Sequence, residues 1–236
     1  MNFKTLYDRL LFVLFTKKCK YCGSIIPENL EICDDCQKNL PRILPPICHL
    51  CGHSKEDCKC KNKKHEYDAI VAPFYYDKAI KIAIHRFKFG KKLNIGKTLA
   101  EDMAQAVLRE YSELKFDLIA FIPMTKKEEK KRSFNQSEIL ANELSEIINV
   151  PATKVLVKIY ETKTQHTLSE KDRKGNVFGV FDISEKADLT GMTILLVDDI
   201  KTTGTTLSEC AKMLNLSGAE AVYAVTAAIT LKGEKK

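Results

Sequence analysis

The chain is poor in the residues that keep a polypeptide open. Its 236 residues include only 7 prolines and 10 glycines, against 44% hydrophobic residues. That balance excludes a disordered or collagen-like chain. Long apolar runs are missing as well. The longest, Leu10 to Phe15, is bounded by Asp8 and Arg9 and by Lys17 and Lys18. It falls far short of the roughly 18 residues that a membrane span needs. No small-residue cleavage site follows it, so it reads poorly as a secretory signal. The expected compartment is the cytoplasm, without membrane insertion. A large charge surplus is also lacking. Net charge is +7, and eight thiolates on two doubly charged zinc ions would lower it to about +3. A surplus this mild is compatible with nucleic acid or phosphorylated ligands and demands neither.

What is present is concentrated. Eight of the nine cysteines lie between Cys19 and Cys60. Such clustering in a cytosolic chain points to metal rather than disulfides. Cys19-x2-Cys22 and Cys33-x2-Cys36, ten residues apart, supply two tight turns and four sulfurs. That donor set suits tetrahedral zinc. Gly23 lets the first turn fold its amides toward the sulfurs. Cys48-x2-Cys51-Gly52 repeats Cys19-x2-Cys22-Gly23 at an offset of 29, and Cys58-x-Cys60 closes the second half. One or two zinc ions are expected, with His49, His53 and His65 as spare ligands. Both sites read as closed and structural. Cys210 shares a helical stripe with Leu207, Ala211 and Leu214 and reads as a buried helix cysteine.

Residues 3–15 read as a short amphipathic helix and 61–64 as a polar linker. Beyond them strands and helices alternate. Tyr67 to Tyr76 reads as two short strands broken near Pro73. Ile80, Ala83, Ile84 and Phe87 make a helix stripe, and 94–111 a second helix. Phe116 to Ile122 is a buried strand, Gln136 to Ile148 a helix, and Val155 to Ile159 a strand. Residues 161–187 read as a long polar loop with a strand near Val177 to Phe181. Met192 to Val197 is a buried strand, Thr206 to Leu216 a helix, and Ala221 to Ile229 the last strand. The expected fold class is α/β, a mostly parallel sheet covered on both faces, with a small N-terminal zinc-binding module. The expected units are residues 1–64 and 65–236. Ligands of such sheets bind at the carboxyl ends of the strands.

The sharpest motif follows the strand at 192–197. An apolar run delivers Asp198 and Asp199, then Ile200, Lys201, Thr202, Thr203, Gly204, Thr205 and Thr206 open a helix. Amides at a helix N-terminus, flanked by hydroxyls, hold a phosphate. The carboxylates can accept hydrogen bonds from ribose hydroxyls or help hold a metal ion. A Gly-Lys-Ser/Thr loop is absent, so this is not a Walker A site. The competing reading makes the aspartates caps and the threonines an ordinary helix start.

This segment resembles the signature that binds 5-phosphoribosyl 1-pyrophosphate (PRPP) in type I phosphoribosyltransferases. Pro123, Arg132, Phe134, Asn135 and Gln136 resemble the "P…RGFNQ" segment of the ComF family, competence proteins used in DNA uptake. Gln165, Leu168, Arg173, Asn176, Gly179 and Phe181 resemble a second segment of that family, and His85 to Gly90 its lysine-containing helix end. Ser133 replaces the usual glycine, so the turn before Phe134 is open to change. The resemblance implies that Asp198 and Asp199 bind the ribose hydroxyls, as the catalytic pair if the chain is an enzyme. It implies that Thr202 to Thr206 hold the 5′-phosphate. Lys126, Lys127 and Arg132, on the loop after Pro123, would lie near the pyrophosphate, with Mg2+ bridging it. A solvated charged turn is the bland alternative for the lysines. Lys201 would add a cation to the loop or extend into solvent. Purine-salvage members of the superfamily carry an acidic residue where Thr202 stands, which disfavours that chemistry here.

Three functions follow as expectations. The first is a ComF-like role in handling single-stranded DNA during natural transformation, with DNA-uptake proteins such as a ComF-type helicase as partners. Arg86, Lys88, Lys91 and Lys92, interleaved with Phe87 and Phe89, would be the nucleic-acid contact. A competing reading places Phe87, and Phe89 with it, on the buried helix stripe. The second is a phosphoribosyltransferase acting on an unidentified small nucleophile, with Glu161 to Arg173 as a mobile lid carrying His166. The third is a zinc-ribbon adaptor whose catalytic fold is vestigial.

Overall fold

The computed structural model describes residues 16–60, 65–90, 92–159, 180–184 and 187–231. The expected helix at 3–15, the linker at 61–64, Lys91, and the lid with His166 lie outside them. Helix α1 (Asp34–Asn39) belongs to the cysteine segment. Strands β1 (Ala69–Val71) and β2 (Phe74–Tyr75) lead into helices α2 (Lys78–Gly90) and α3 (Leu93–Glu110). Strand β3 (Leu118–Phe121), helices α4 (Lys126–Arg132) and α5 (Gln136–Ile148), and strands β4 (Leu156–Lys158) and β5 (Phe181–Ile183) follow. Strand β6 (Thr193–Lys201), helix α6 (Thr205–Leu216) and strand β7 (Ala221–Ile229) complete the order.

The main sheet runs β1–β7–β6–β3, with β2 also on β7, and every pairing is parallel. Strand alternation sorts the core into two layers. Leu195, Val197 and Val225 face α2, α3 and α5. Ile194, Leu196, Val222 and Ala224 face α6 and the antiparallel β4–β5 ribbon. A strand buried on both faces must be apolar throughout, which is why Ile194 to Val197 has no alternation.

The cysteine segment shares the first layer. Cys19, Tyr21, Ile26, Cys36, Ile43 and Ile47 join the core cluster that holds Phe74, Ala100 and Ile229. Tyr21 meets Phe74 edge-on at 5.9 Å and its hydroxyl donates to the buried Asp102 of α3. Arg42 donates to the same carboxylate at 3.1 Å. Burial pushes the Asp102 carboxyl up, and Tyr21 and Arg42 counter that.

Three expectations are corrected. Strand β6 does not end at Val197 but runs to Lys201, because its ladder with β7 continues from Asp198↔Thr226 to Lys201↔Ile229. Backbone pairing keeps the chain extended although the side chains turn polar. The loop expected after Pro123 is α4. Thr125 and Glu128 close a capping box, and the acidic first turn and basic last turn complement the helix dipole. The strand expected near Val177 to Phe181 is met, among the described residues, by β5 at Phe181–Ile183, which pairs with β4; residues 177–179 lie outside them.

Candidate functional site

Asp198 and Asp199 sit at the carboxyl end of β6, where neighbouring side chains point to opposite faces and find different partners. Ser137 Oγ donates to Asp198 Oδ1 at 2.9 Å, and the Asp199 N–H donates to the same oxygen at 2.8 Å. The Lys88 ammonium lies 2.7 Å from Asp199 Oδ2. Burial and the neighbouring Asp199 charge push the Asp198 carboxyl up to about 7, although the bonds from Asp199 N–H and Ser137 oppose this. The chain then turns at Gly204, whose φ of 79° caps α6. Thr203 Oγ1 accepts from the Thr205 N–H at 3.3 Å and lies 2.9 Å from Thr205 Oγ1. A concavity of about 30 Å³ is lined by Asp198 and by Thr202 through Thr206. Backbone amides, hydroxyls and the Asp198 carboxylate face one small space, a set able to hold a phosphate, with Asp199 beside it on Lys88.

The Arg132–Ser137 segment supports this pair from beneath. Asn135 caps α5, its Oδ1 accepting from the Ser137 N–H at 3.0 Å, while its Nδ2 donates to the Ile122 carbonyl at 3.0 Å. That fixes Ser137 under Asp198. Arg132 donates to Gln136 Oε1 at 3.2 Å and sits 5.9 Å above the Phe89 ring. Ser133 adopts φ 73°, so the serine keeps a left-handed turn that glycine would make without strain. Ser133→Gly is expected to stabilise the fold by about 0.5–1 kcal/mol. Urea denaturation checks this.

Each cysteine set is gathered tightly. All four sulfurs of Cys19, Cys22, Cys33 and Cys36 lie within 4.8 Å of one another, and so do those of Cys48, Cys51, Cys58 and Cys60. Several pairs stand 3.3–3.8 Å apart. Zinc–sulfur bonds of about 2.3 Å in a tetrahedron place sulfurs about 3.8 Å apart. These spacings are the edges of an ion-sized tetrahedron, and the donors fit zinc. The expected spare ligands are employed elsewhere. His49 faces Glu110 at 3.2 Å, His53 Nε2 donates to the Thr230 carbonyl at 3.2 Å, and His65 stacks on Tyr67.

The proposed basic patch is divided by the fold. Arg86 turns inward and donates to the carbonyls of Cys19 (2.9 Å) and Lys20 (3.3 Å) in the first cysteine turn. Lys88 points to Asp199. Lys92 precedes α3, and Lys91 is outside the described residues. Helix geometry is the reason: Phe87 is fully buried, and the rotation this imposes turns Phe89 outward to 60% exposure. Lys201 does not extend into solvent, and it lines the concavity beside the loop threonines. It is buried and donates to the Cys51 carbonyl at 3.1 Å. Sequence reasoning missed the Ser137–Asp198, Lys88–Asp199 and Lys201–Cys51 contacts. The lysine in the family-like helix end was the one available signal.

Comparison with known proteins agrees with this geometry. A phosphoribosyl transferase domain model matches residues 134–236, and a double zinc ribbon domain model matches residues 10–66. Competence protein F of Haemophilus influenzae is 31% identical over 219 residues, covering 88% of this chain and 95% of its own. The DNA utilization protein YhgH of Escherichia coli K12 is 30% identical over 200 residues, covering 81% and 87%. Competence protein ComFC of Bacillus subtilis is 28% identical over 206 residues, covering 80% of each. No described helix is long and apolar enough to cross a membrane. With a double zinc ribbon, a phosphoribosyltransferase domain and full-length relatives at this identity, the chain belongs to the ComF family of competence and DNA-utilization proteins.

Proposed function

We propose that this protein binds PRPP with Mg2+ at the β6–α6 turn and handles single-stranded DNA in DNA uptake. The observation that carries the first part is the juxtaposition of Asp198 and the Gly204 turn around one small concavity, with Asp199 next to Asp198 on β6. In this reading the Thr202–Thr206 amides and hydroxyls hold the 5′-phosphate, and the carboxylates accept from the ribose hydroxyls. Lys88 supplies a fixed cation beside them. Among the described residues, the His, Cys, Asp and Glu groups close enough to hold an ion are the two cysteine sets. In this reading Mg2+ arrives with the pyrophosphate. A transferase reaction on an unidentified acceptor is the second reading, favoured by the intact carboxylate pair.

The DNA part is supported by relatives named for competence and DNA utilization and by the rim of the site. Phe89 is exposed, with His85 at 4.8 Å and the Arg132 guanidinium 5.9 Å from its ring. An exposed ring flanked by a cation is a stacking platform for an unpaired base. Phe89→Ala is expected to weaken single-strand binding about 5- to 100-fold. Fluorescence anisotropy of labelled single-stranded and duplex DNA, with and without PRPP and Mg2+, tests the whole reading. Preference for the single strand that shifts with PRPP supports it. Absence of DNA binding at low salt moves the function to a small-acceptor transferase.

A further inference from the structure

Lys201 is the last residue of β6, directly before Thr202 of the phosphate loop. Its side chain is buried, and a buried ammonium is costly unless its bonds are fixed. Its Nζ donates to the Cys51 carbonyl at 3.1 Å, and Cys51 belongs to the second cysteine cluster. That carbonyl is held by the turn around it. The Cys51 and Gly52 amides donate to the Cys48 carbonyl at 3.1 and 2.7 Å. The return path is also bonded. The Lys201 carbonyl accepts from the Thr230 N–H at 3.0 Å, and the Thr230 carbonyl accepts from His53 Nε2 at 3.2 Å. The links thus form a closed ring from the cluster to β6, across to the end of β7, and back to the cluster.

Packing follows the same route. A Cβ at Gly204 would lie 3.1 Å from Lys201 Cε, so the loop glycine rests on the lysine stem. A Cβ at Gly52 would lie 2.4 Å from Cδ1 of Ile229, the residue paired with Lys201 in the sheet. Elsewhere the loop and the cluster face each other across a cavity of about 140 Å³ lined by Cys51, His53, Lys201, Thr202 and Thr203. The ammonium therefore spans a region that is not filled by side-chain packing.

We propose that Lys201 is a positioning residue through which the second zinc cluster sets the conformation of the phosphate loop. Loss of zinc at Cys48, Cys51, Cys58 and Cys60 releases the Cys51 carbonyl, unseats Lys201 and loosens Thr202–Thr206, which lowers affinity for the phosphoribosyl ligand. The affinity part rests on the PRPP reading above; the loop part does not.

Hydrogen–deuterium exchange on the zinc-loaded full-length chain, without ligand, tests the brace. In Lys201→Met, which keeps the stem, amides of 202–208 are expected to exchange about 10-fold faster, while β3 and α5 are unchanged. Cys60→Ser, which opens the second cluster, is expected to produce the same local rise. The double variant should be no worse than either single change, because both break one chain of contacts. PRPP–Mg2+ titration should show about a 10-fold loss in each. Unchanged loop exchange in a Lys201→Met protein that retains both zinc ions overturns the proposal, as does a rise spread evenly over the sheet. If Cys60→Ser does not fold, Lys201→Met decides alone. If the wild type binds no PRPP, the functional reading fails and the exchange result still decides the brace.

Discussion

Stripping zinc from the full-length protein is expected to lower its melting temperature by about 10–20 °C, in one transition that includes the sheet. The two cysteine sets hold more than themselves. Tyr21, Ile26, Ile43 and Ile47 lie in the core layer of α2, α3 and α5. Asp102 is buried against Tyr21 and Arg42, both in the cysteine segment. If the first cluster opens, Asp102 loses both partners, and an orphaned buried charge costs about 3–5 kcal/mol. Arg86 loses its carbonyl acceptors at the same time. The thiols do not replace the metal. Burial pushes the Cys36 thiol up and Cys51 up to about 12, so these two hold protons in the metal-free chain, while hydrogen bonds hold Cys22 and Cys58 lower. Zinc binding displaces those protons, hence chelation becomes easier as pH falls. Scanning calorimetry with and without a chelator reads the outcome. Two separate transitions, with the sheet's unmoved, would show that residues 16–60 fold independently and that the shared core is energetically minor.

Asp198→Asn is expected to make the protein more stable at pH 8 while weakening PRPP binding at least about 10-fold. The native Asp198 carboxyl is pushed up to about 7, whereas an unfolded aspartate sits near about 3.9. Between those values the folded state binds more protons than the unfolded state. Stability therefore falls as pH rises from about 4 through about 7. Asparagine carries no charge to desolvate, and its oxygen can still accept from Ser137 and the Asp199 N–H. The variant should match the wild type below about pH 4 and exceed it by about 3–4 kcal/mol at pH 8. Ligand affinity should drop at least about 10-fold, because a hydrogen bond to a charged acceptor contributes about 1.5–3 kcal/mol. Urea denaturation at both pH values and a PRPP titration measure the two effects. A variant less stable at pH 8 would make the carboxylate a structural element instead. A site that costs stability in the empty protein is what a binding carboxylate requires and a cap does not.

Much of the fold was legible because periodicity dominates where burial does. Ile80, Ala83, Ile84 and Phe87 formed the buried stripe of α2, and Ala221–Ile229 emerged as a strand with the expected bounds. The two four-cysteine sets followed from spacing alone, and the histidines proved unnecessary once Cys58 and Cys60 closed the second set. What escaped was set by tertiary context. Lys201 reads as a loop cation because a lysine is seldom buried, and only the cluster folding onto the end of β6 gives its ammonium a partner. Lys88 and Arg86 read as one basic patch, but two residues apart on a helix are on different faces. One reaches Asp199 and the other the first cysteine turn. Phe89, which a competing reading places in the core with Phe87, lies outside it for the same reason. Ser137, supporting Asp198 across 61 positions of sequence, carries no local signal at all.

The site itself is tested most directly by calorimetric titration of PRPP into the zinc-loaded chain, with and without Mg2+, in wild type and Asp198→Asn. One binding event per chain that needs Mg2+ and weakens at least about 10-fold in the variant is the expected result. No binding by a folded wild type carrying two zinc ions, or equal affinity in the two proteins, would contradict a phosphoribosyl site at the β6–α6 turn.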